Sequence, residues 1–141
     1  MAAIDAVILD TGPLVAYVER DDEHHDWAEA AFAEITGRLI TCDSVLSEAL
    51  FVLKFPQHRA AIRQMLRDGV FDLSFHLTDE ASAVAKLMES YEDVPMSLAD
   101  ACLVRLSELH PKLPVLTLDS DFRIYRRNKR QLIPIITSPA A

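Results

Sequence analysis

The strongest constraint in this sequence is a set of short runs that are apolar at nearly every position. Residues 6–9 read Ala-Val-Ile-Leu, 38–42 Arg-Leu-Ile-Thr-Cys, 114–118 Pro-Val-Leu-Thr-Leu and 133–136 Ile-Pro-Ile-Ile. A strand with one wet face alternates between apolar and polar residues. A run without alternation is covered on both faces, as in a parallel sheet between two helical layers. Residues 71–75, Phe-Asp-Leu-Ser-Phe, are the exception and predict an alternating strand. The intervening segments have helical spacing. A short helix covers 14–18. A second opens in the acidic run 21–26, carries Trp27, Ala30, Ala31, Phe32 and Ile35, and is closed by Gly37. A third is capped by Asp43 or Ser44 and stops before Pro56, and a fourth spans 57–67 up to Asp68-Gly69. Two more run from Thr78 to about Tyr91 and over 97–109, and Pro134 assigns the last strand to a sheet edge. The expected fold class is α/β, a three-layer α/β/α arrangement around a mostly parallel sheet. With 141 residues the expectation is one domain, 1–141, with a tail frayed from about Ser138.

Composition removes several classes of function. The three glycines, Gly12, Gly37 and Gly69, are scattered, so there is no phosphate-cradling glycine loop. Cys42 and Cys102 have neither disulfide-motif nor zinc spacing and each sits in an apolar segment, so both are expected as buried, reduced thiols. The start, Met1-Ala-Ala-Ile-Asp, lacks a signal peptide's basic and apolar regions, and no run is long enough to span a membrane. A cytoplasmic protein without a membrane partner is the expectation. The formal net charge of −8 excludes a uniformly basic nucleic-acid coat, but not a local basic patch or an acidic site that recruits cations.

The acids beside the apolar runs carry the chemistry. Asp10 follows the first strand, Asp119 and Asp121 follow the fourth, and ligands of an open parallel sheet bind at the carboxyl ends of its strands. Glu48 lies inside the apolar helix Val45-Leu-Ser-Glu-Ala-Leu-Phe-Val-Leu53, where a carboxylate is costly unless paired. Asp100 lies in the first turn of the sixth helix. Each acid also has a plain reading: Asp10 and Asp119 or Asp121 as helix caps, Ser97-x-x-Asp100 as a capping box, Glu48 on a solvent-facing helix side. Gathered together, carboxylates about 4 Å apart at an effective dielectric near 20 repel by roughly 4 kcal/mol per pair, so a cation is needed to keep them ionised. Oxygen ligands without a paired His or Cys select Mg²⁺ or Mn²⁺ over zinc. Metal-assisted phosphodiester hydrolysis suits such a site.

Four segments, in order and frame, resemble the PIN domain, the nuclease fold of VapC toxins from VapBC toxin–antitoxin pairs. They are Val7-Ile-Leu-Asp-Thr-Gly-Pro-Leu14, Ser44-Val-Leu-Ser-Glu-Ala-Leu50, Ser97-Leu-Ala-Asp-Ala101 and Leu116-Thr-Leu-Asp-Ser-Asp-Phe122. The resemblance implies a metal-dependent ribonuclease, with Asp10, Glu48, Asp100 and Asp119 as the metal-binding quartet and Asp121 as an alternative fourth acid. One or two ions are compatible with it. Thr11 and Thr117 match the family's hydroxyl residues beside the quartet and are expected to orient a carboxylate or a water. It further implies an RNA substrate such as transfer RNA, a cognate antitoxin and a homodimer. The alternative is a PIN fold that has lost turnover and binds RNA or protein.

A second signal is the run Arg123-Ile-Tyr-Arg-Arg-Asn-Lys-Arg130, with five of the chain's fourteen basic residues. It reads as a short basic helix. It is either a solvated face or an RNA contact through Arg123, Arg126, Arg127, Lys129 and Arg130, with Tyr125 free to stack on a base. His24-His25 reads as a solvated helix start and Trp27 as core. A haloacid-dehalogenase-type phosphatase would need an acid where Gly12 stands, and a receiver domain's phosphoacceptor and lysine are missing.

Overall fold

A computed structural model describes residues 3–139. Five strands form one parallel sheet in the order Phe71–Asp72, Ile35–Ile40, Ile4–Leu9, Val115–Leu116, Ile135–Ile136. They are β1 (Ile4–Leu9), β2 (Ile35–Ile40), β3 (Phe71–Asp72), β4 (Val115–Leu116) and β7 (Ile135–Ile136). Helices α1 (Thr11–Val18), α2 (His25–Glu34), α3 (Asp43–Val52), α4 (Pro56–Arg67), α5 (Leu77–Ser90) and α6 (Leu98–Leu109) supply the outer layers.

Central β1 explains why its run does not alternate. Ala6 and Ile8 enter a core built with α5, α6, Phe122 and Tyr125, whereas Val7 and Leu9 enter a second core built with α1, α3 and α4. Val7, Ile8 and Leu9 are all fully buried. The result is the expected three-layer α/β/α fold. β7 is an edge strand, as Pro134 requires; the Pro134 carbonyl still accepts the Val115 N–H at 2.9 Å. Trp27 packs against the second core. Among the described residues no helix is long and apolar enough to cross a membrane.

Three local expectations are corrected. Gly37 does not end α2, which stops at Glu34; it lies within β2, where a Cβ would collide with the main-chain carbonyl of Asp5, next to an irregularity in β1–β2 register. The strand expected over 71–75 pairs only at Phe71–Asp72, because the Asp72 side chain turns the chain by accepting the Ser74 N–H at 3.0 Å and its hydroxyl at 2.6 Å. The basic run is not a helix. A 3₁₀ turn (Ser120–Arg123) leads into a small antiparallel hairpin of β5 (Arg126–Arg127) and β6 (Gln131–Leu132). Its tight turn places Asn128 and Lys129 at positive φ, 48° and 73°, which no helix accommodates. Of the tail expected to fray from about Ser138, Ser138 itself is buried, and residues 140 and 141 lie outside the described region.

Candidate active site

The parallel sheet delivers Asp10 and Asp119 to one end because each follows a central strand, β1 and β4. Asp10 also caps α1. One carboxylate oxygen accepts the Thr11 N–H at 2.7 Å and the other accepts the Thr117 hydroxyl at 2.7 Å. Thr117 is fully buried and serves two acids at once, since its Oγ1 also accepts the Asp119 N–H at 2.9 Å. Asp119 in turn caps the 3₁₀ turn by accepting the Asp121 N–H at 2.9 Å.

The helices bring the other two acids. Asp100, at the third position of α6, closes a reciprocal cap with Ser97, whose hydroxyl accepts the Asp100 N–H at 3.0 Å. The Asp100 carboxylate accepts the Ser97 N–H at 3.3 Å and the Tyr125 hydroxyl at 3.0 Å. Glu48, one turn from the end of α3, is half-buried and accepts the Thr11 hydroxyl at 3.1 Å. Asp10, Asp100 and Asp119 therefore each act as a cap and still line one cavity. A cap satisfies one side of a carboxylate and leaves other lone pairs free.

Asp10, Glu48, Asp100 and Asp119 line one cleft of about 450 Å³, together with Thr11 and Gly12, and no basic side chain is among its lining residues. Asp121 is not among them either. Burial pushes Asp10 up to about 6 despite its bonds to Thr117 and Thr11, and the charges of Asp100 and Asp119 add to the rise. Asp100 is raised as well, first by burial and further by Asp119 and Glu48. The acids repel one another, as expected for an anionic cleft without a counter-charge. Among the described residues, no three His, Cys, Asp or Glu side chains form a set that could hold a metal ion as they stand. Each carboxylate is instead held by its own hydroxyl or main-chain donor.

The basic run splits rather than forming one patch. Arg123 is exposed and lines a shallow groove with Asp119 and Ser120, beside the acids. Arg126 donates to the carbonyls of Arg123, Ile124 and Tyr125, and Arg127 to those of Ser107 and Pro111. Arg126 and Lys129 face a separate groove against α5 and α6, and Arg130 is exposed near the hairpin turn. Tyr125 cannot stack on a base, because it is fully buried against Phe122 and Tyr91. Its bond to Asp100 is not legible in the sequence, where its basic neighbours point to a surface residue. The one signal was its position three residues after Phe122, a spacing that returns to the same side of a tight turn. The His25 ring is tied to the Ala16 carbonyl at 2.8 Å, so His24-His25 is a packed helix start.

Comparison with known proteins agrees with this architecture. The family model for the PIN domain matches residues 7–128. Among solved structures, the Mycobacterium tuberculosis toxin VapC20, described as cleaving the sarcin–ricin loop, superposes with a TM-score of 0.74 at 17% identity, covering 82% of this chain and 91% of that one. No curated protein sequence matches.

Proposed function

The chain belongs to the PIN domain family, and on that premise we propose that it is a divalent-metal-dependent ribonuclease acting as the toxin of a toxin–antitoxin pair. One observation carries the reading: four carboxylates from four separate segments line a single cleft that has no basic lining residue. An anionic RNA backbone does not enter such a cleft unless a cation is present.

The donor set fits a hard cation, Mg²⁺ or Mn²⁺, because every side-chain donor facing the cleft is an oxygen. Asp10, Glu48, Asp100 and Asp119 would hold it. When bound, such an ion supplies electrostatic stabilisation of the scissile phosphate and acidifies water. The protein's own residues do the positioning. Thr117 fixes the rotation of Asp10 and the main chain of Asp119 together, Thr11 holds Glu48, and Tyr125 with Ser97 holds Asp100. Asp119 rather than Asp121 is the fourth acid in this reading, since Asp119 alone of the two lines the cleft. Arg123 is the basic residue best placed to meet RNA there, with Lys129 and Arg130 further along the hairpin. A structured RNA such as transfer RNA, a cognate antitoxin, a homodimeric state and a cytoplasmic location complete the proposal.

A second reading, a PIN fold without turnover that binds RNA or protein, draws on the carboxylates being held apart instead of forming a ready ligand set. The deciding experiment compares wild type with Asp100→Asn in an RNA cleavage assay with and without Mn²⁺. Cleavage by the wild type alone, and only with metal, is expected. Equal cleavage by both proteins overturns the assignment of the site, and Mn²⁺ binding without cleavage of any RNA favours the second reading.

A further inference from the structure

Cys42 and Cys102 are sixty positions apart in the sequence, yet the fold places both in one buried cluster, where they line the same cavity. Cys42 is the N-cap residue of α3 and Cys102 lies in the second turn of α6, so the pair bridges two helices. Both are free thiols, buried at 2% and 1% exposure. The cavity has a volume of about 270 Å³ and is also lined by Phe75, His76 and Thr78. That cavity is distinct from the acidic cleft and has room for a small oxidant. The Cys42 thiol is held below its usual range, first by the hydrogen bond from Cys102 and also by the N–H groups of Val45 and Ser44 at the start of α3. A thiol at a helix N-terminus with a second cysteine beside it is the arrangement in which oxidation is fast and ends in a disulfide.

We propose that Cys42 and Cys102 are a reversible redox pair, oxidised by peroxide to a disulfide within one chain. The Cys42 thiolate attacks one peroxide oxygen: an S–O bond forms, the O–O bond breaks, and the departing hydroxide takes the thiol proton to become water. The Cys102 sulfur then attacks the Cys42 sulfenic acid: an S–S bond forms, the S–O bond breaks, and a second water leaves with the Cys102 proton. Two thiols lose two electrons and one peroxide gains them. A dithiol reductant reverses the change. The bond ties together α3 and α6, the helices that carry Glu48 and Asp100. The chemistry stands whether or not the acidic cleft cuts RNA.

The full chain, reduced, is exposed to hydrogen peroxide beside an equal concentration of free cysteine, then quenched in denaturant with an alkylating reagent and mapped by mass spectrometry. The expected map shows a Cys42–Cys102 disulfide, formed no more slowly than free cysteine is consumed and cleared by dithiothreitol. In Cys102→Ala, dimedone is expected to trap a sulfenic acid on Cys42. Two alkylated thiols after free cysteine is consumed, a disulfide joining two molecules, or a dimedone adduct on Cys102 in the wild type overturns the proposal. The wild-type map decides without any variant, so a misfolded substitution leaves no ambiguity.

Discussion

The acidic cleft and the basic hairpin are neighbours in the chain and opposites in how they are built. In the cleft, each charged side chain is held by a donor that leaves part of it facing open space; Asp10 is bonded to Thr11 and Thr117 and still lines the cavity. In the hairpin, the guanidinium groups of Arg126 and Arg127 are spent on main-chain carbonyls, five of them between the two residues. Charge density in a sequence therefore says little until the partners are known. The acids keep lone pairs facing an open cavity, whereas much of the basic run closes the fold.

The largest expected effect tests the acidic half. Asp10→Asn keeps an oxygen for the Thr117 hydroxyl and removes the charge. Mn²⁺-dependent cleavage is expected to fall by about 100-fold or more, read from single-turnover rates on one RNA. A fall under about threefold would detach Asp10 from the chemistry.

The same variant gives a pH test. Asp10 is raised to about 6 when folded, so the folded protein keeps a proton that the unfolded chain releases near pH 4. Its contribution to stability is greatest below the unfolded value and is lost as pH rises through about 6. Without metal, the stability of Asp10→Asn relative to wild type is expected to improve by about 2 kcal/mol between pH 4.5 and 7.5, measured by urea unfolding. Mn²⁺ affinity of the wild type should weaken below about pH 6, where proton and metal compete for the carboxylate. A flat difference between the variants would mean that burial does not hold the proton.

Smaller effects separate the arginines. Arg127→Ala leaves the Ser107 and Pro111 carbonyls without this donor and is expected to lower stability by about 1–2 kcal/mol, with little change in the salt dependence of RNA binding. Arg123→Ala should do the reverse: stability within about 0.5 kcal/mol of wild type, and a salt slope for RNA binding shallower by about 0.7 if one single-stranded phosphate contact is lost. Matching behaviour of the two variants would erase the contrast between a structural and a ligand-facing arginine.

The two regions also differ in how far they could be read from sequence. The cleft was legible because each of its acids stands at a place defined locally: the end of an apolar strand for Asp10 and Asp119, the first turn of a helix for Asp100, an apolar helix interior for Glu48. Parallel strand order then does the gathering. The hairpin was not legible, since Arg127 is fixed by the Ser107 and Pro111 carbonyls and Tyr125 by Asp100 and the Tyr91 ring, all distant in sequence, and the positive φ angles of Asn128 and Lys129 fall on non-glycine residues. Gly37 misled for a similar reason. Its lack of a Cβ answers the approach of the Asp5 carbonyl across a strand pair, and no pattern within α2 carries that information.

The bond from Thr117 to Asp10 spans 107 residues, and this bears on how the protein is made. Contacts of such long sequence separation form late, because the loop they close must be ordered first. During synthesis the N-terminal strands and helices leave the ribosome well before β4 exists. Asp10, Glu48 and Asp100 then have no Thr117–Asp119 segment to complete their cleft. Under the proposed function, a nascent chain is consequently inert at this site until the segment after β4 has emerged, a built-in delay between translation and RNA cleavage.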